Sequence, residues 1–167
     1  MGQWSLKERL QPSLLDRLTD WDPRKTREST AQQSMSQKEF KDAVIRDLGW
    51  LFNSVCLDVC VDLEAYPEVE RSVLNYGLPD ISGQTSSTVD VKSVERAVKR
   101  AVFQFEPRII RNSLRVKVHS DPNEMSHNSL VFEIEGAVFG QPSPFQIVLR
   151  SELNLECGEF SIAEDFG

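Results

Sequence analysis

The sequence predicts an α+β domain, with N-terminal helices followed by a small, mainly antiparallel sheet built from hairpins. Three observations carry this. Apolar residues recur at helical spacing over 40–55 and again over 91–105. Past Arg108 they alternate instead, with Leu114, Val116 and Val118 set against Arg115, Lys117 and His119. Turn-rich stretches at 121–128 and 140–144 then divide the remainder into short runs, as hairpins require.

From the N-terminus, Leu10, Leu14, Leu15 and Leu18 follow helical spacing, with Pro12 near the start, where proline is tolerated. A polar stretch rich in Ser, Thr, Gln and Arg follows over 19–34 and reads as a connector. A short helix on a tether suits docking onto a partner; it suits packing against its own domain as well. The expected division is 1–34, a short helix and polar connector, and 35–167, the folded domain. Ser36-Gln37-Lys38-Glu39 has the form of a capping box, in which Ser and Glu satisfy each other's free backbone donors. Phe40, Val44, Leu48, Leu51, Phe52 and Val55 mark one face of a helix running to about Asn53. Residues 55–63 alternate well enough for a strand. Residues 67–75 read as a short helix, which Tyr76-Gly77-Leu78-Pro79-Asp80 stops with glycine and then proline.

Residues 82–88 are small and polar, a loop into the next helix. Val91, Val94, Val98, Ala101, Val102 and Phe105 form its apolar side, and Lys92, Glu95, Arg96, Lys99 and Arg100 its wet side. After the strand at 114–118, Leu130, Phe132 and Ile134 begin a second. Phe145, Ile147 and Leu149 mark a third, which Leu153 and Leu155 extend, and Phe160-Ser161-Ile162 adds a short fourth.

The 167 residues suffice for one sizeable core. No apolar run approaches the roughly 18 residues of a membrane span. A net charge of −7 argues against nucleic acid, whose phosphates call for a basic surface, and is compatible with basic protein partners. Acidity collects after Ser151, where Glu152, Glu156, Glu159, Glu164 and Asp165 face no Lys or Arg; this reads as a solvated tail. The start, Met1-Gly2-Gln3-Trp4-Ser5-Leu6, has neither the basic region nor the apolar core of a secretory signal. Three cysteines, Cys56, Cys60 and Cys157, make no paired framework. A cytoplasmic protein is expected.

The change of period falls at Phe105-Glu106-Pro107-Arg108. Proline has no backbone donor, and its ring drives Glu106 out of helical geometry, so the helix must end near Phe105. Glu106 and Arg108 then flank a rigid residue with spacing that lets a carboxylate orient a guanidinium. Two readings stand: an ion pair that fixes the turn, or a docking point. An exposed pair adds only about 0–1 kcal/mol to stability, so outward display would favour docking.

Chemistry finds less footing. Glycoside hydrolysis needs two carboxylates about 5–10 Å apart, one of them protonated. Glu106 with Glu133 or Glu135 is the candidate set if the sheet brings them together, but Arg108 two residues away favours the charged form of Glu106. His119 and His127 are the only histidines, and no Cys or His spacing suits zinc. Cys56 and Cys60 read as small buried apolar residues. Neither a phosphate-binding glycine loop nor Gly-x-Ser-x-Gly is present. No catalytic residue, metal or cofactor is expected.

Four stretches in order resemble one family: Leu14-Leu15-Asp16-Arg17-Leu18, Asp47-Leu48-Gly49-Trp50-Leu51-Phe52-Asn53, Tyr66 through Asp80, and Phe105-Glu106-Pro107-Arg108. It is the TssE family of baseplate wedge subunits of bacterial type VI secretion systems, related to a lysozyme-like wedge protein of contractile-tailed phages. The resemblance spans about Leu14 to Val118; the strands beyond His119 fit in pattern more than identity. The polar connector and the two nearby cysteines depart from it. The resemblance implies a non-enzymatic structural part of a cytoplasmic, membrane-docked baseplate. Its partners would be other wedge subunits around the spike hub and the sheath subunits, with no nucleic acid and no membrane insertion. It implies that Glu106, Pro107 and Arg108 hold the first sheath ring, and that Leu14, Leu15 and Leu18 contact the wedge. A soluble regulatory adaptor on the same fold is the other binding reading.

Overall fold

The computed structural model describes residues 10, 12–19, 24, 35–83, 89–119, 129–140 and 143–164. Two long helices, α2 (Gln37–Phe52) and α4 (Val91–Phe105), lie on one face of a sheet formed by β1 (Arg115–His119), β2 (Ser129–Val138), β3 (Phe145–Asn154) and β4 (Phe160–Glu164). The strands pair antiparallel in the order β1-β2-β3-β4, so the expected α+β architecture stands. Alternation sets the sheet's inner face. Leu130, Phe132, Ile134, Ile147, Leu149 and Leu153 point into the core; there they meet Val44, Leu48, Leu51 and Phe52 of α2 and Val98 and Val102 of α4. Helix α2 packs over β4 and α4 over β1.

Helix α2 starts where the capping box places it: the Ser36 hydroxyl accepts from Glu39 N, and the Glu39 carboxylate accepts from Ser36 N at 2.8 Å. Helix α4 is capped by Asp90, a residue the periodicity did not single out, and ends at Phe105 as Pro107 demands. After the corner the chain runs along β2: Phe139 N donates to Arg108 O at 2.9 Å and Ile110 N to Ala137 O at 2.7 Å. A single 3-10 turn, Arg111–Ser113, then steps it into β1.

Three expectations need correction. Residues 55–63 are not a strand: a lone bridge joins Val55 to Leu78, and a 3-10 turn, Leu57–Val59, follows. Its backbone donors are spent nearby, Asp58 N on Asn75 Oδ1 at 3.0 Å, and Cys60 N and Val61 N on Leu57 O, which leaves no ladder to extend. The helix over 67–75 is two pieces, α3 (Pro67–Glu70) and a 3-10 turn, Val73–Asn75, because the Ser72 hydroxyl captures Leu74 N. The acidic end is solvated as read, yet it is not a tail. It builds the end of β3 and β4 and buries Leu153, Leu155 and Phe160, while the carboxylates of Glu152, Glu156 and Glu159 stand outside. Of the connector expected over 19–34, only Thr19 and Arg24 lie within the described residues, and the loop expected over 121–128 lies outside them.

Gly77 closes the neck of the 56–77 excursion. Its φ is +130°, and a Cβ there would stand 2.3 Å from Ser54 O, so the stop signal read from Gly77 has a steric basis.

Candidate functional site

Glu106 is the C-cap of α4, and its N–H still donates to Val102 O at 2.9 Å. Pro107 turns the chain, and Arg108 folds back onto Glu106. The Arg108 Nε donates to Glu106 Oε1 at 2.6 Å, Nη2 donates to Oε2, and the Arg108 backbone N–H also reaches Oε1 at 3.1 Å. The pair anticipated across the proline therefore forms as a fork. It does not stand outward. Glu106 is 4% exposed and the Arg108 side chain 18%, because the corner is folded against α2, and of the three motif residues Pro107 alone is well exposed.

The reason for that burial is a third charge. Asp47 of α2 accepts from Arg108 Nη2 at 2.6 Å. Its other oxygen accepts from Arg46 Nε and Nη2 at 2.9 and 2.7 Å, and Arg46 Nη1 donates to Asp16 Oδ1 at 2.6 Å. Five side chains thus alternate in sign from the N-terminal helix to the corner: Asp16, Arg46, Asp47, Arg108, Glu106. Arg46 also lies over the Trp50 ring, 5.0 Å from its centroid, and Arg108 over Phe40 at 5.7 Å. Sequence reasoning missed Asp47 as a member. A signal was present, since Asp47 falls seven residues after Phe40 and four before Leu51, on the apolar stripe of α2, where a carboxylate needs a cation.

The electrostatics follow the contacts. The hydrogen bond from Arg46 holds the Asp16 carboxyl below the usual range against the opposing effect of burial. Burial works against the Arg108 charge, yet the Glu106 and Asp47 carboxylates outweigh it and raise that guanidinium. Burial, then the Asp47 and Glu106 charges, pushes the Tyr76 hydroxyl up; its oxygen lies 3.4 Å from Asp47 O.

Three of these charges, Asp47, Glu106 and Arg108, line an open groove of about 1130 Å³. Leu10, Leu15, Trp50, Tyr76, Pro107 and Phe139 are among its walls. The N-terminal piece contributes less helix than its spacing suggests: α1 spans Leu14–Leu18 behind the Ser13 cap. Leu10 lies outside it, buried and bridged to Met35. Leu14 and Leu18 are well exposed and Leu15 faces the groove at half exposure.

The carboxylates weighed for hydrolysis are kept apart. Glu133 and Glu135 share the face of β2 opposite Phe132 and Ile134, near Lys117 Nζ at 3.8 and 3.1 Å, while Glu106 lies on the α2 side. The Lys117 hydrogen bond holds Glu135 below the usual carboxylate range, against what a general acid needs. Cys56 is buried as read, with its thiol pushed up to about 11 chiefly by burial, whereas Cys60, read as buried, is exposed, as is Cys157; all three are free. Among the described residues no group of His, Cys, Asp and Glu could hold a metal, and no helix is long and apolar enough to cross a membrane.

The model of one protein family, described as the baseplate wedge protein gp25, matches residues 38–143. The matched segment includes four of the five alternating charges, Arg46, Asp47, Glu106 and Arg108. No curated protein and no solved structure matches the chain.

Proposed function

We propose, on the premise that the chain belongs to the family of the baseplate wedge protein gp25, that it docks the contractile sheath onto the baseplate of a type VI secretion system and templates the first sheath ring. The family supplies the coarser part, a structural component that assembles with other baseplate proteins. The observation that carries the finer part is the groove. Its floor is the Glu106–Arg108 pair, locked by Asp47, and its walls offer exposed Pro107, Trp50 and Phe139 to an incoming segment. The two charges act mainly by fixing the corner, and Pro107 with the aromatic walls makes the contact.

A second element supports attachment to a sheath. Strand β4 ends the sheet and pairs only with 149–153 of β3; at its start Phe160 N donates to Asn53 Oδ1 at 2.9 Å and Phe160 O accepts from Asn53 Nδ2 at 3.0 Å, so the edges left open among the described residues are those of 161–164 and 145–148. An added strand there gains affinity through backbone bonds, and the groove fixes its placement. A preformed first layer removes part of the ordering cost that free subunits meet when they start a ring. Leu14, Leu15 and Leu18 are assigned to contacts with other wedge subunits, around the hub of a membrane-docked baseplate on its cytoplasmic side. Residues 35–167 form the wedge domain and 1–34 its appendage. No catalytic role is assigned, since both Glu106 oxygens are engaged by Arg108.

The test uses variants that keep the fold. Pro107→Glu with Phe139→Glu alters only exposed wall residues, and Arg108→Lys keeps the charge but loses the fork. Each is expected to enter the baseplate with wild-type circular dichroism while sheaths per cell fall at least about tenfold. Normal sheath numbers with the folded wall variant would overturn the docking role. Loss of fold in Arg108→Lys alone would make the pair a brace and leave the walls to decide.

A further inference from the structure

Residues 56–77 leave the body of the domain and return to it. The neck is closed by Cys56 N donating to Leu78 O at 3.0 Å and Leu78 N to Ser54 O at 2.8 Å. Inside, the buried Asn75 clamps the excursion: its Oδ1 accepts from Asp58 N at 3.0 Å and its Nδ2 donates to Glu70 O at 3.1 Å. Helix α4 holds it from outside. Arg100 pairs with Asp58 at 3.5 Å and with Glu70 at 3.8 Å, and Gln104 Nε2 donates to Glu70 O at 3.3 Å. Its backbone is satisfied and tied at several points, so the excursion has a fixed shape.

On this frame stand large apolar side chains that remain largely exposed. Val73 is 78% exposed and Leu74 68%, and Val59, Val61 and Tyr66 are exposed as well. Scattered single apolar residues are ordinary on a surface; these five share one clamped excursion whose 57–59 and 73–75 turns touch, which brings Val59 near Val73 and Leu74. The charges around them are one-sided. Arg100 is taken up by Asp58 and Glu70, so Asp62, Glu64 and Glu68 are left with Arg71 as the only cation of the excursion.

We infer that this face of the 56–77 excursion docks a basic amphipathic segment of another baseplate protein, with apolar residues seated on Val73, Leu74 and Tyr66 and Lys or Arg opposite Asp62, Glu64 and Glu68. A second copy of the chain fits poorly, because a two-fold contact would set the same carboxylates against each other. The inference rests on the wedge reading and uses a surface apart from both the groove and the open strand edges.

The test takes the full chain and each of the other wedge proteins, expressed singly, and measures pairwise affinity at low and high salt. The wild type is expected to bind one of them, more weakly as salt rises. Val73→Glu with Leu74→Glu should lower that affinity at least about thirtyfold with an unchanged melting temperature. Glu64→Lys with Glu68→Lys should lower it about tenfold and flatten the salt dependence. Equal binding by wild type and both variants overturns the inference and leaves the wedge reading intact. Failure of the wild type to bind any wedge protein overturns both. Charge reversal that leaves binding unchanged or tightens it overturns the basic partner. A wild-type chain that is dimeric by light scattering and monomeric as Val73→Glu with Leu74→Glu makes a second copy the occupant and overturns it also.

Discussion

Ser151 lies in mid-β3 between Phe132 of β2 and Ile162 of β4, is 1% exposed, and its Oγ has no hydrogen-bond partner among the described residues. A buried hydroxyl without a partner costs stability, and alanine fits the same space. Ser151→Ala is therefore expected to raise stability by about 1 kcal/mol in urea unfolding; a loss of that size would mean that the hydroxyl is satisfied after all. The corner shows what residue-level reading can and cannot supply. That Glu106 and Arg108 could pair was legible, because two residues flanking a proline share a side. That they are folded inward was not, because the cause, Asp47, is 61 positions away from Arg108.

At the level of elements, the helices with local start and stop chemistry were the most legible. The capping box opens α2 and Pro107 closes α4, and both act through immediate neighbours. Residues 55–63 failed for the opposite reason: alternation describes a side-chain pattern, and a strand also needs a partner, which Asn75 and Leu57 forestall by taking the backbone donors. Helix α1 is too short to stand alone and buries no residue, so its placement depends on the Asp16–Arg46 contact and on Leu10. Because the folded-state pKa of Asp16 is depressed, the stability it adds is present above the ordinary aspartate value of about 3.9 and is lost as pH falls through the folded value. A carboxyl titration by NMR should place its midpoint below that value, and Arg46→Gln should move it back up. A wild-type midpoint at or above the ordinary value would show that the contact is not formed in solution.

Across the whole molecule, the order of helices then hairpins was readable because each period spans many residues, whereas the groove was not, since its walls come from α1, α2, the corner and the end of β2. The same reach makes the N-terminal piece a modest contributor to the fold. Removing residues before Met35 exposes the space that Leu10 fills and should cost about 2 kcal/mol. Unfolding in urea should remain a single cooperative transition at a lower midpoint; an unchanged midpoint would mean that Leu10 does not pack as described.

Within the row of five alternating charges, the part centred on Arg46, whose side chain is 34% exposed, is the wetter end, and the Arg108–Glu106 fork, 18% and 4% exposed, is the drier. Dissolved ions screen the wet end and scarcely reach the dry one. Under rising ionic strength the row should come undone like a zipper opened from one side: the N-terminal piece lets go first, and the elbow that turns helix into sheet keeps its grip longest.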